Sequence, residues 1–314
     1  MMSLELMMWL GVGVVGFAIA LLASRRVAHH ATVVVERTSL SPFFVGMVLL
    51  AIGTDIPEIV NSIVTSAAGH GDLNVGDSVG SALTQVTLVL GLLPFLTRRI
   101  ETDSRAVQAI GGLTVGALLL GVLLVGDGRL TRIDAGLLLA AWVAAIFVTR
   151  DVGQVPAARE GGPDPGRRIG HVLGAFMFLA IVGGGAVLAV LAMVEIAGLL
   201  NVPEYYVSFF GASLGTSLPE LMVDVTAIRR GAVGLAIGDA FGSSLVDATL
   251  SLGIGPALFP IAVDAGLAVR GGLFAAVAIA LVTLLVGWRG VLNRRTGAVL
   301  IGLYLLAYFV LLRA

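Results

Sequence analysis

The chain has no cysteine, so neither a disulfide nor a thiolate metal site is available to it. It has no lysine either: all nineteen basic residues are arginine. Charged residues are scarce, at 12%, and a net charge of −1 offers nothing to a nucleic acid. The histidines, His29, His30, His70 and His171, fall in or beside expected loops and form no metal-ligand spacing. What remains is apolar. Hydrophobic residues fill 58% of the 314 positions, and mean hydropathy is +1.02. A soluble protein of this size cannot hide that much apolar surface, so an all-α polytopic membrane protein is expected.

Ten apolar segments are long enough to span a bilayer. They cover 4–24, 40–69 (broken at Pro57), 73–97, 106–125, 131–149, 170–194, 197–228 (broken at Pro219), 232–260, 266–287 and 296–312. The one long polar stretch is 150–168. It divides the chain into a five-span half at 1–150, a cytoplasmic linker at 151–169 and a second five-span half at 170–314. With the N-terminus outside, the connections after odd-numbered spans hold fifteen arginines and the other side holds four. The positive-inside rule therefore predicts both termini outside. Leu21, Leu22, Ala23 and Ser24 look like a signal-peptide cleavage site. The charges follow that apolar run rather than precede it, so the first span reads as a retained helix.

The halves share a pattern at an offset of 162 residues. Gly53, Thr54, Pro57, Glu58, Gly76, Asp77, Gly80, Ser81, Thr87 and Gly91 meet Gly215, Thr216, Pro219, Glu220, Gly238, Asp239, Gly242, Ser243, Thr249 and Gly253. The motifs occupy 53–91 and 215–253. Five spans is an odd number, so the second half must enter the membrane upside down. That is an inverted-topology repeat, an architecture of secondary transporters.

Seven carboxylates lie both within spans and within these motifs: Asp55, Glu58, Asp77, Glu220, Asp224, Asp239 and Asp247. No arginine shares those apolar stretches. A buried carboxylate costs several kcal/mol unless paired, protonated or coordinated, so the expected partners are cations or protons. Oxygen-only ligands suit hard ions such as Ca²⁺, Na⁺ or Mg²⁺. Pro57 and Pro219 break their helices and free carbonyls near Thr54 and Thr216, beside Glu58 and Glu220. Gly76 with Gly80, and Gly238 with Gly242, put glycine on one helix face, where crossing helices can approach closely. Ser81 and Gln85 share a face, as do Ser243 and Asp247, and can line the same cavity. Asp77 and Asp239 stand about 12 Å along the axis from Gln85 and Asp247, too far for the same ion, and suit a first-turn dipole or a vestibule. Asp224 reads as a pathway residue or a surface-end carboxylate.

The two motifs resemble the signature repeats of the sodium/calcium exchanger family, in the cation/Ca²⁺ exchanger superfamily, prokaryotic ten-helix type. Gly215 to Glu220 matches the family motif outright. Gly238, Gly242, Ser243 and Asp247 resemble its partner, usually Gly-Asn-x-x-Gly-Ser-Asn-x-x-Asp. The resemblance implies an antiporter of a prokaryotic plasma membrane, working as a monomer and exchanging Ca²⁺ for Na⁺ by alternating access. It implies a Ca²⁺ site from Glu58, Glu220 and the Thr54 and Thr216 carbonyls. It implies Na⁺ sites from Ser217, Ser81, Ser243, Gln85 and Asp247, with spans 1 and 6 as a sliding pair and no cofactor.

Three features depart from the family pattern. Asp55 stands where the family has a small neutral residue, and Gln85 where Asn or Asp is expected. Ala82, Ser244, Asp77 and Asp239 replace motif asparagines. Asp55 would make four central carboxylates with Glu58, Glu220 and Asp247, so proton-coupled exchange stays open. A passive channel also stays open. An intramembrane aspartyl protease built on Asp77 and Asp239 lacks the Gly-x-Gly-Asp signature and is the weakest alternative.

Overall fold

The computed structural model describes residues 2–35, 44, 46–97, 99–149 and 165–313. Helix α1 spans Met2–Val35, and the bent pair α2 (Gly46–Thr54) and α3 (Ile56–Ala68) follows it. Then come α4 (Gly71–Thr97), β1 (Arg99–Glu101), α5 (Ser104–Val125), β2 (Arg129–Leu130) and α6 (Arg132–Thr149). After the linker come α7 (Pro165–Leu200), α8 (204–216), α9 (Leu218–Arg229) and α10 (Val233–Leu258). Next are β3 (Ile261–Ala262), α11 (Ala265–Arg289), β4 (Val291–Asn293) and α12 (Arg294–Leu311). Among the described residues, seven helices are long and apolar enough to cross a membrane, and the bent pair makes eight. Large apolar side chains such as Leu123, Phe147 and Phe309 stand exposed, as lipid-facing residues do.

Two boundaries differ from the expectation. α1 runs well past residue 24, through Arg25, Arg26, His29 and His30. That stretch holds no glycine or proline, and charge marks where an apolar stretch ends without stopping a helix. α7 begins at Pro165, where a first-turn proline is favourable, and so takes over the end of the expected linker. The rest of that linker, 151–164, lies outside the described residues.

The offset seen in the sequence recurs in the elements. Both ends of α6 and α12 differ by 162, and so do the starts of α4 and α10. The four positive-φ glycines fall into two pairs at that offset, Gly69 with Gly231 and Gly128 with Gly290. Helix α3 ends on the first of these, left-handed at φ 82°. The short strands pair antiparallel across the halves. Arg99 faces Asn293 and Ile100 faces Leu292, while Arg129 faces Ala262 and Leu130 faces Ile261.

Packing between the halves exchanges under the same shift. A Cβ on Gly80 would lie 2.3 Å from the Phe209 carbonyl oxygen, and one on Gly242 would lie 2.5 Å from Met47 Cα. Only glycine lets these backbones meet. The Ser244 hydroxyl donates to the Ala82 carbonyl at 2.8 Å, and these two positions are each other's counterparts. A residue meeting its own counterpart marks a two-fold relation.

α1 and α7 run antiparallel along each other, with Gly13 at Ala192, Gly16 at Gly185 and His30 at Gly174. Their seam buries Ala23, Val27 and Val182, apart from the main core. The extension of α1 also corrects the histidine reading. His30 Nδ1 lies 2.9 Å from His171 Nδ1, and the His29 ring stands 5.6 Å from that of His30.

Candidate cation site

Both helices are interrupted at a single residue, Asp55 in the first half and Ser217 in the second. The axis turns by 51° between α2 and α3. The residues at the breaks, Asp55 (φ −79°, ψ 7°) and Ser217 (φ −76°, ψ 0°), have left helical geometry. Pro57 and Pro219 follow in the first turn of the next helix. They have no N–H to offer the carbonyls of Gly53 and Gly215, four residues back. The Thr54 hydroxyl donates back to the Leu50 carbonyl at 3.1 Å, and the Thr216 hydroxyl to Ala212 at 3.1 Å. The thread of each break is therefore backbone oxygen, beside a carboxylate or a hydroxyl.

The helices facing these breaks are also irregular. α4 winds into a π-turn at Gln85–Val89 and α10 into one at Asp247–Ser251. Each begins at the residue whose side chain matters. A π-turn widens the helix and re-aims side chains, and such turns recur at functional sites. Nothing in the residue pattern announced them.

Three carboxylates converge here. Ligand oxygens of Asp55, Glu58 and Asp247 all lie within 4.8 Å of one another, and all three residues are buried. Glu220 is buried too. Gln85 Nε2 reaches Asp55 Oδ1 at 3.5 Å, a long and weak contact. Asp55 Oδ2, both oxygens of Glu58, Glu220 and Asp247, Gln85 Oε1 and Ser217 Oγ find no hydrogen-bond partner. Ser81 and Ser243 each meet a threonine of the other half's broken helix. Ser81 Oγ is 3.3 Å from Thr216 Oγ1, and Ser243 Oγ is 3.4 Å from Thr54 Oγ1. These two contacts tie each motif to the other's broken helix.

The arrangement demands positive charge. At 4.8 Å and an effective dielectric of 20, each ionised pair repels by about 3.5 kcal/mol. Ca²⁺ takes oxygens at about 2.3–2.6 Å, so two ligands on one ion lie no more than about 5.2 Å apart, and these oxygens fall inside that limit.

The remaining acids correct two readings. Asp77 and Asp239 are each the seventh residue of their helix and fully buried, so a first-turn role fails. Asp77 accepts from the Asn61 amide in a short hydrogen bond and from the Thr216 hydroxyl at 3.4 Å. Asp239 instead faces Asp224, which is likewise fully buried and no surface-end carboxylate. The two aspartates thus meet different partners and make no protease dyad. Asn61 was missed in the sequence. Its signal was its place three residues after Glu58, on the same helix face.

Comparison with known proteins decides the lineage. Residues 8–149 and 170–313 match the family described as sodium/calcium exchanger protein. The chain belongs to that family. Its members are transporters, not enzymes. CaxA of Alkalimonas amylolytica is 26% identical over 298 residues, covering 91% of this chain and 93% of its own length. The sodium/calcium exchanger MaX1 of Methanosarcina acetivorans is 24% identical over 274 residues, 74% of this chain and 78% of the relative. Among solved structures, the sodium-calcium exchanger NCX_Mj soaked with 10 mM Na⁺ and zero Ca²⁺ superposes with a TM-score of 0.74. The match is at 22% identity and covers 98% of this chain and 99% of that one, so the fold is shared from end to end.

Proposed function

We propose that this family member is a secondary antiporter that exchanges Ca²⁺ for Na⁺ across a prokaryotic plasma membrane by alternating access. The observation that carries the reading is the approach of Asp55, Glu58 and Asp247 to within 4.8 Å in a buried setting free of cationic side chains among the described residues. Ca²⁺ is the substrate, held by Glu58, Glu220, Asp247 and the carbonyls at Thr54 and Thr216. Na⁺ would use Ser217, Ser81, Ser243, Gln85 and Asp247, the smaller and less charged oxygens. An odd number of spans per half makes the two-fold repeat an inverted one, with both termini outside and the linker in the cytoplasm. A single chain contains both motifs, so a monomer suffices.

A second reading, coupling to protons, is favoured by Asp55. It adds a carboxylate where the repeat partner has only Ser217, and crowded carboxylates exchange a metal ion for protons readily. Proteoliposomes decide between them. Ca²⁺ uptake should follow an imposed Na⁺ gradient, and Glu58→Gln or Glu220→Gln should abolish it. Uptake driven only by a pH gradient gives the coupling to protons. Full uptake in both variants would remove the site assignment altogether.

A further inference from the structure

The second half buries a pair of carboxyl groups that the cation cluster does not use. Asp224 on α9 and Asp239 on α10 are both 0% exposed, and their carboxyl groups face each other between these two packed helices. None of their four oxygens has a donor. The first half is built differently at the matching place. There Asp77, the counterpart of Asp239, takes the Asn61 amide and the Thr216 hydroxyl. Asn61 and Asp224 come from equivalent helices, one position apart in register. One aspartate is met by donors and the other by a second acceptor. Two acceptors facing each other out of water need positive charge between them, because a buried, uncompensated anion costs several kcal/mol. Among the described residues the ion pairs are His70 with Glu204 and Arg99 with Glu101, so no arginine supplies it.

We propose that Asp224 and Asp239 form a second cation position, separate from the Asp55, Glu58 and Asp247 cluster, that takes one monovalent cation: a proton or an alkali-metal ion. Both sources satisfy the same chemistry, one unit of charge shared by two carboxylates. The pair lies beside the cluster, since Asp224 is one turn along α9 from Glu220 and Asp239 one turn along α10 from Ser243. Filling one position therefore opposes filling the other, because two cations so placed repel. The position itself stands without the exchange reading; only its part in the transport cycle rests on that reading.

The test uses the full-length protein in detergent, with Asp224→Asn and Asp239→Asn. Asp224→Asn restores the amide-to-carboxylate contact that Asn61 and Asp77 already make, so it is expected to fold. Infrared spectra at neutral pH report protonated carboxyls, and radioactive Na⁺ reports bound alkali metal. A proton between the pair predicts loss of one carboxylic C=O band in each variant with Na⁺ stoichiometry unchanged. An alkali ion predicts one Na⁺ fewer per chain with the band unchanged. Either result supports the position, and no change in both readouts overturns it. Ca²⁺ binding by calorimetry should stay within about tenfold in Asp224→Asn. Its loss together with the pair's cation would mean one shared site and would also overturn the proposal. Neither readout needs flux, so failure of the exchange reading would be seen separately.

Discussion

Glu58→Gln keeps the size of a side chain but removes one of three carboxylates that approach within 4.8 Å. Its effect should change sign with the ion. In ion-free protein the substitution relieves repulsion. Glu58 has two such neighbours, Asp55 and Asp247, each worth about 3.5 kcal/mol when ionised at that distance and an effective dielectric of 20. Relief of even one pair raises the melting temperature by several degrees in a chain of this size. With Ca²⁺ present the balance reverses. Removing one partner of a buried charge interaction costs about 3–5 kcal/mol, a loss of about 150- to 5,000-fold in affinity. At Ca²⁺ a hundred times the wild-type Kd, the ion adds about 2.7 kcal/mol to wild-type stability. The variant, then below its own Kd, gains about 0.3 kcal/mol or less. Thermal unfolding of the purified protein in detergent, with and without Ca²⁺, reads both terms. A mere packing defect lowers melting in both conditions. A variant that melts lower without Ca²⁺ yet keeps the full Ca²⁺ shift would refute the cluster as the Ca²⁺ site.

Three further outcomes are expected. Gly80→Ala places a Cβ 2.3 Å from the Phe209 carbonyl oxygen, so the helices must part; overpacking of this kind costs about 1–3 kcal/mol and should show as a lower melting temperature. Asn61→Ala strips Asp77 of its amide donor and should cost about 1–3 kcal/mol by the same measurement, while Asn61→Asp should cost more by facing Asp77 with a second carboxylate. His30 lies beyond the apolar stretch 4–24, and burial, then His171, His29 and Arg26, hold its pKa below the ordinary 6.5. The unfolded chain therefore binds more protons between the two values, so stability is present above 6.5 and is lost as pH falls through the folded value. Melting recorded on both sides of that window should drop on the acid side in wild type and stay flatter in His30→Gln.

The centre of the site was legible because it is written twice. Glu58, Glu220 and the breaks at Pro57 and Pro219 follow from local chemistry, a missing N–H beside a carboxylate, and the offset ties the copies together. Asp55 and Gln85 were legible as departures from that repeat, and the structure puts their side chains in contact. The π-turns at Gln85 and Asp247 were not legible, since a single extra residue in a helical turn leaves no periodic mark in an apolar run. Nor was the meeting of Asp224 with Asp239, or of His30 with His171. Each depends on how two helices are rotated against each other, and rotation is set by packing elsewhere, such as Gly242 against Met47. The length of α1 was misjudged because hydropathy measures the bilayer and not the helix.

Two separate apolar cores imply two thresholds of local opening. The α1–α7 seam holds its own small cluster, with Ile56 of α3 packed against it, whereas α4, α9 and α10 contribute to the large one. Regions with fewer buried apolar contacts open at lower free energy. Mild heat or a harsh detergent should therefore loosen α1 and α7 first, and amide exchange should quicken there before it does around Asp247. If α1 and α7 are the sliding pair that the family resemblance implies, loosening their seam would cost transport before it reached Asp247 on α10, with Glu58 on α3 the first ligand to feel it.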